Sequence, residues 1–155
     1  MSNSEQTNLS SDIELLTFQV GGQEYAIDIM SVREIRGWSN ATPLPHAPDF
    51  VRGVINLRGT VLTIVDLADR LGMGKTEASE RNVIIVVQAE KETVGLLVDA
   101  VSDILTISKS ELQAPPEMSA DNGHSYVSSL IIVEERMIRI LSLSAVLPSE
   151  SMEAA

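Results

Sequence analysis

Residues 51–71, VRGVINLRGTVLTIVDLADRL, recur 76 positions later as residues 127–147, VSSLIIVEERMIRILSLSAVL. Val51 falls on Val127, Ile55 on Ile131, Leu57 on Val133, Ile64 on Ile140, Leu67 on Leu143 and Leu71 on Leu147, all at that offset. The first block reads as strands at 54–57 and 61–65 pinched around Arg58-Gly59, then one turn of helix. Gly59 tolerates the positive φ of a tight reversal, and Val and Ile stiffen its flanks, which makes a hairpin. A second hairpin precedes it: 15–20 alternates as a strand, Gly21-Gly22 turns the chain, and 25–29 returns. This hairpin recurs in 83–101 at an offset of 69, with Val87 on Phe18, Gly95 on Ala26, Val98 on Ile29 and Val101 on Val32. Asp103-Ile104 stands where Glu34-Ile35 stood. The chain is a tandem duplication.

Each copy is therefore a hairpin, a connector, a second hairpin and a terminal helical turn, which suits a small five-stranded barrel. The second copy has a longer connector, 105–126, which contains Pro115, Pro116, Asn122 and Gly123 and reads as a loop with a helical turn at 108–113. The expected fold is all-β, two five-stranded barrels side by side with short helical turns. The expected division is a disordered tail over 1–13, a first barrel over 14–80, a second over 81–148 and a flexible tail over 149–155. The 72–81 stretch, GMGKTEASER, links the barrels. An intertwined version, with the first strand donated to the other barrel, fits the pattern equally well. A unit of ~60 residues is marginal alone, so the copies should lean on one another. Their junction should leave a groove, and grooves between domains favour a ligand or partner.

Composition narrows the function classes. A net charge of −11 over 155 residues disfavours a nucleic-acid partner, which needs a basic surface. There is no cysteine, hence no disulfide framework and no thiolate chemistry. The first residues have neither the basic nor the apolar region of a signal peptide, and no apolar run approaches the roughly 20 residues of a membrane span. A cytoplasmic chain without direct membrane insertion is expected.

Catalytic equipment is not visible. His46 and His124 lie in separate loops with no spaced His or Cys neighbour, so no metal site or other cofactor is expected. Gly72-Met73-Gly74-Lys75-Thr76 ends like a phosphate loop, but the first glycine of that motif would have to stand at Asp69. No G-x-S-x-G elbow occurs, and Asp66 with Asp69 reads as a helix start and a solvated face. Against this background the hairpin turn stands out, because Arg58-Gly59 in one copy is Glu134-Glu135 in the other. Turn tips drift freely when they are merely solvated. Alternatively, a rigid turn presents the Arg58 fork to a carboxylate, for which Glu34 is the intrachain candidate.

Several blocks carry a family resemblance. They are Tyr25-Ala26-Ile27-Asp28-Ile29, Val32-Arg33-Glu34-Ile35-Arg36, the run from Phe50 through Gly53-Val54-Ile55-Asn56-Leu57-Arg58-Gly59, Ile64-Val65-Asp66-Leu67, and Val94-Gly95-Leu96-Leu97-Val98-Asp99. In that order they resemble the CheW family of chemotaxis coupling proteins. The resemblance implies two SH3-like barrels, no enzymatic activity and an adaptor role. It would join the cytoplasmic tips of chemoreceptors (methyl-accepting chemotaxis proteins) to the regulatory domain of the histidine kinase CheA, with recruitment to membrane arrays through protein contacts. It places partner contacts near Val32, Glu34, Ile35, Gly53 and Arg58, and near Val83, Val101 and Ile104 of the second copy, not divided between the two partners. Periodicity alone would assign Val32, Ile35, Val101 and Ile104 to ordinary core, and Gly53 to a backbone requirement. The rival classes are a small-molecule binder or enzyme using the junction groove, with Asp66, Asp99 and His46 as polar groups, and a structural homo-oligomer.

Overall fold

Apolar residues at alternate positions build most of the strands, with continuous apolar runs where both faces are covered. The computed structural model describes residues 12–77, 79–89, 91–115 and 126–147. Among them the first copy holds β1 (Asp12–Val20), β2 (Gln23–Asp28), β3 (Val32–Gly37), β4 (Val51–Leu57) and β5 (Thr60–Asp66), followed by the helical turn α1 (Leu67–Arg70). The second holds β6 (Val83–Ala89), β7 (Glu92–Val98), β8 (Ala100–Ser108), β9 (Val127–Val133) and β10 (Arg136–Leu141), then α2 (Leu143–Val146). Short 3-10 turns occupy Ile29–Ser31 and Lys109–Glu111.

The strands form two five-stranded sheets, ordered β8-β1-β2-β10-β9 and β3-β6-β7-β5-β4. Each curls around its own apolar interior, giving two SH3-like barrels. The sheets do not divide at residue 80. Each takes the first hairpin of one copy and the last three strands of the other, so a whole hairpin is exchanged, not a single first strand. The parallel pairing of β2 with β10 occupies the edge of β2 where a simple meander would have laid β3. The duplication is retained in the register: Ile140 pairs with Ala26 in one barrel, and Ile64 with Gly95 at the equivalent place in the other.

Two further expectations are corrected. Asp12 and Ile13 are not tail, because they pair with Ser108 and Ile107 in β1; the remainder of both tails lies outside the described residues. The long connector begins later than expected, since β8 continues to Ser108 before its 3-10 turn. Pairing along nearly all of β1 holds it extended, while residues 116–125 lie outside the description. Apolar packing fills the interior of the junction, and a cleft lined by Gly21, Ala68, Met73, Thr76 and Asp99 lies open beside it. Leu16, Phe18 and Ile27 of one barrel bury against Val65, Ile85 and Leu96 of the other in one shared core. Separate interiors form around Ile107, Ile131 and Ile138 in the first barrel and around Ile55, Leu62 and Ile84 in the second. Burying the seam offsets the small core of each barrel alone.

The linker is held as well. Asp66 is fully buried at the N-cap of α1 and accepts from the Thr76 amide at 2.8 Å and the Thr76 hydroxyl at 2.7 Å. Arg52 donates to the Thr76 carbonyl at 3.0 Å, which pins the start of the connector to its barrel.

Candidate partner-binding surface

Residues opposite each other in a sheet register project to the same face, and this sorts the candidate contacts. On β3, Val32 pairs with Val87 and Ile35 with Ile85; on β8, Val101 pairs with Phe18 and Ile104 with Leu16. All four opposite residues belong to the shared core. Val32, Val101 and Val83 accordingly pack against that core and are half-buried. Ile35 and Ile104 are on the outermost strand of each sheet, where the core runs out, and remain 47% and 54% exposed. They are equivalent positions of the two copies and form two apolar rims of one seam. Gly53 is buried on β4 at φ 140°, and a Cβ there would run into the Thr42 carbonyl oxygen. Its place in the fold is a backbone requirement.

Glu34 faces the other way. It pairs with Val86, whose side chain lies in the barrel interior, and so reaches the barrel mouth where the β4–β5 turn arrives. That turn has φ 51° at Arg58 and φ 85° at Gly59, and the Asn56 side chain accepts from the Gly59 amide at 2.9 Å. A turn so fixed holds Arg58 in place, and its guanidinium donates to Glu34 at 2.7 Å and 3.5 Å. The expected pair is present, tying the β3 edge of the sheet to the far hairpin. Arg36, not singled out from the sequence, adds a second donor to Glu34 at 3.1 Å. Its signal was available, since residues two apart on a strand share a face. The Arg58 side chain is 71% exposed even while paired, so the fork remains accessible.

The hydrogen bond from Arg58, and after it the one from Arg36, hold the Glu34 carboxyl below its usual range. A folded-state value below the unfolded one contributes stability that is present above the unfolded pKa and lost as pH falls through the folded value. In an NMR titration the Glu34 carboxyl is expected to have a midpoint below that of an ordinary glutamate. Arg58→Ala should move it toward the ordinary value, and an unmoved midpoint would mean that the pair does not persist in solution.

The barrel that holds β8, β9 and β10 presents the same geometry with different charge. Its turn has φ 50° at Glu134 and 68° at Glu135, and Asp103 takes the place of Glu34. Two acids now stand where an ion pair stood. Arg136 lies close enough for Asp103 and Glu134 to act on it electrostatically, and donates from Nε to Glu24 at 3.0 Å. The hydrogen bond to Glu24 is the main cause of its raised pKa. Neither Glu24 nor Arg136 was anticipated, although comparing the copies shows Thr60 where Arg136 stands. Among the described residues no three His, Cys, Asp or Glu side chains gather to hold a metal ion, and no helix is long and apolar enough to cross a membrane.

The two SH3-like barrels are thus intertwined, alike in backbone and unlike in charge at corresponding mouths. A family model described as the CheW-like domain matches residues 14–151, and the chain belongs to that family of chemotaxis proteins. It is 54% identical to the chemotaxis protein CheW of Rhizobium meliloti over 142 residues, covering 92% of each chain. It is 49% identical to a probable chemotaxis protein CheW of Rhizobium etli over 144 residues, covering 93% of each. In structure it is similar to the scaffolding protein CheW of Thermoanaerobacter tengcongensis, with a TM-score of 0.79 and 30% identity over 88% of both chains.

Proposed function

We propose that this chain couples chemoreceptor cytoplasmic tips to the histidine kinase CheA, acting by assembly and without catalysis of its own. In this reading it works in the cytoplasm and joins membrane arrays only through protein contacts. The observation that carries it is the ion pair between half-buried Glu34 on β3 and exposed Arg58 on the β4–β5 turn, next to the exposed Ile35 of β3. A helix laid along such an edge is held by a few apolar anchors, with charged groups at the rim setting register. Ile35 and Ile104 would be the apolar anchors, while Val32, Val83, Val101 and Gly53 shape the surface from beneath. The differently charged mouth of the other barrel lets one module hold a second partner. Weak single contacts suffice, because an array multiplies them through effective concentration.

The test is a pull-down with purified receptor cytoplasmic fragment and purified kinase, followed by reconstitution of receptor-stimulated kinase activity with and without the chain. Failure to bind either partner would remove the proposal. Arg58→Glu is expected to weaken partner binding while leaving the thermal midpoint within a few degrees, because it changes an exposed surface position. A collapse of the midpoint would make Arg58 a structural residue instead.

A further inference from the structure

The two barrels share an apolar core, and apolar burial is not directional, so it sets their separation more firmly than their angle. A directional contact also crosses the seam between the two helical turns. Arg70, the last residue of α1, donates from Nε to the Val146 carbonyl and from the guanidinium to the Ala145 carbonyl, each at 3.0 Å. These carbonyls end α2, which follows the last strand of the other barrel. The same guanidinium lies 4.3 Å from the centre of the Phe50 ring and 5.1 Å from that of Tyr126. Phe50 and Tyr126 are equivalent residues of the two copies, and so are Arg70 and Val146. The carbonyls of the two aromatics accept from the equivalent N-cap amides of Asp66, at 2.7 Å, and Ser142, at 2.8 Å. Arg70 therefore sits between mirrored halves, and only one copy supplies the cation. A planar fork can meet two carbonyls and two ring faces together, which a lysine cannot.

We infer that Arg70 is a positioning residue that locks the angle between the barrels, so that a partner displaced on one barrel moves the other. It touches neither candidate contact surface. This inference rests on the coupling role proposed above. Its experiment has one arm that does not need that role.

The chain has no native cysteine, so Glu14→Cys on one barrel and Thr93→Cys on the other place two spin labels cleanly. The unsubstituted protein is expected to give one narrow inter-label distance. Arg70→Ala should broaden or shift it, and Arg70→Lys, which keeps charge without the fork, should do so less. In reconstitution, both variants should bind kinase alone and receptor fragment alone as the parent does. Receptor-dependent kinase stimulation should fall about fivefold or more with Arg70→Ala, the range of a lost inter-site coupling. Should Arg70→Ala fail to fold, Arg70→Lys decides alone. An unchanged distance distribution in the folded variants overturns the inference. So does a broadened one with stimulation intact. If the parent chain binds neither partner, the coupling role fails, while the distances still report on the lock.

Discussion

Cut between residues 77 and 78, the chain is expected to give two halves, neither of which shows a cooperative unfolding transition, and which recover the native fold when mixed in equal amounts. The pairings β1 with β8, β2 with β10, β3 with β6 and β5 with β7 all join one copy to the other. Removing either half leaves the remaining one with the hairpins β1–β2 and β4–β5, or β6–β7 and β9–β10. A two-stranded hairpin is marginal in water, and the shared core needs strands from both copies. Circular dichroism and amide dispersion on each half should show a largely unfolded chain, and sedimentation of the mixture should show a one-to-one complex. If either half folds alone into a cooperative barrel, the exchange of hairpins is not what stabilises this protein.

How far the sequence could have led to this topology depends on which signal is asked. Strand existence was legible because Val, Ile and Leu alternate between turn residues, and the register at Ile64 and Ile140 follows from the repeat. Membership of the barrels was not, because duplication constrains what each copy looks like and is silent on which copy a hairpin packs with. Both arrangements bury the same residues. The Glu34–Arg58 pair could be read from the divergence of one turn. The role of Arg70 could not, since its equivalent is Val146 and the partner atoms are backbone carbonyls that every sequence carries. Exposure along the seam was not legible for a related reason: exposed Ile35 and Ile104 and half-buried Val32 and Val101 are alike apolar. Only their place along the edge strand separates them.

Gly53→Ala is expected to destabilise the fold by about 3 kcal/mol or more, combining backbone strain at positive φ with overpacking. For a chain of this size that lowers the thermal midpoint by about 6–12 °C. The collision is with backbone, which cannot rotate aside as a side-chain end could. Thr42 is bonded to Val54 in both directions, at 2.8 Å and 2.9 Å, and is followed by Pro43, so its carbonyl is fixed above Gly53. In the other copy the equivalent of Gly53 is Ser129, which is not among the positive-φ residues. Gly53→Ser should thus be at least as damaging as Gly53→Ala, although the repeat itself supplies the serine. Thermal denaturation of both variants measures the effect, and titration with receptor fragment and kinase, corrected for the folded fraction, separates two roles for this glycine. Unchanged affinity per folded molecule with a lowered midpoint makes Gly53 a support of the surface. Weakened affinity at an unchanged midpoint would instead make it a direct contact, and the Thr42 carbonyl would have to be free to move.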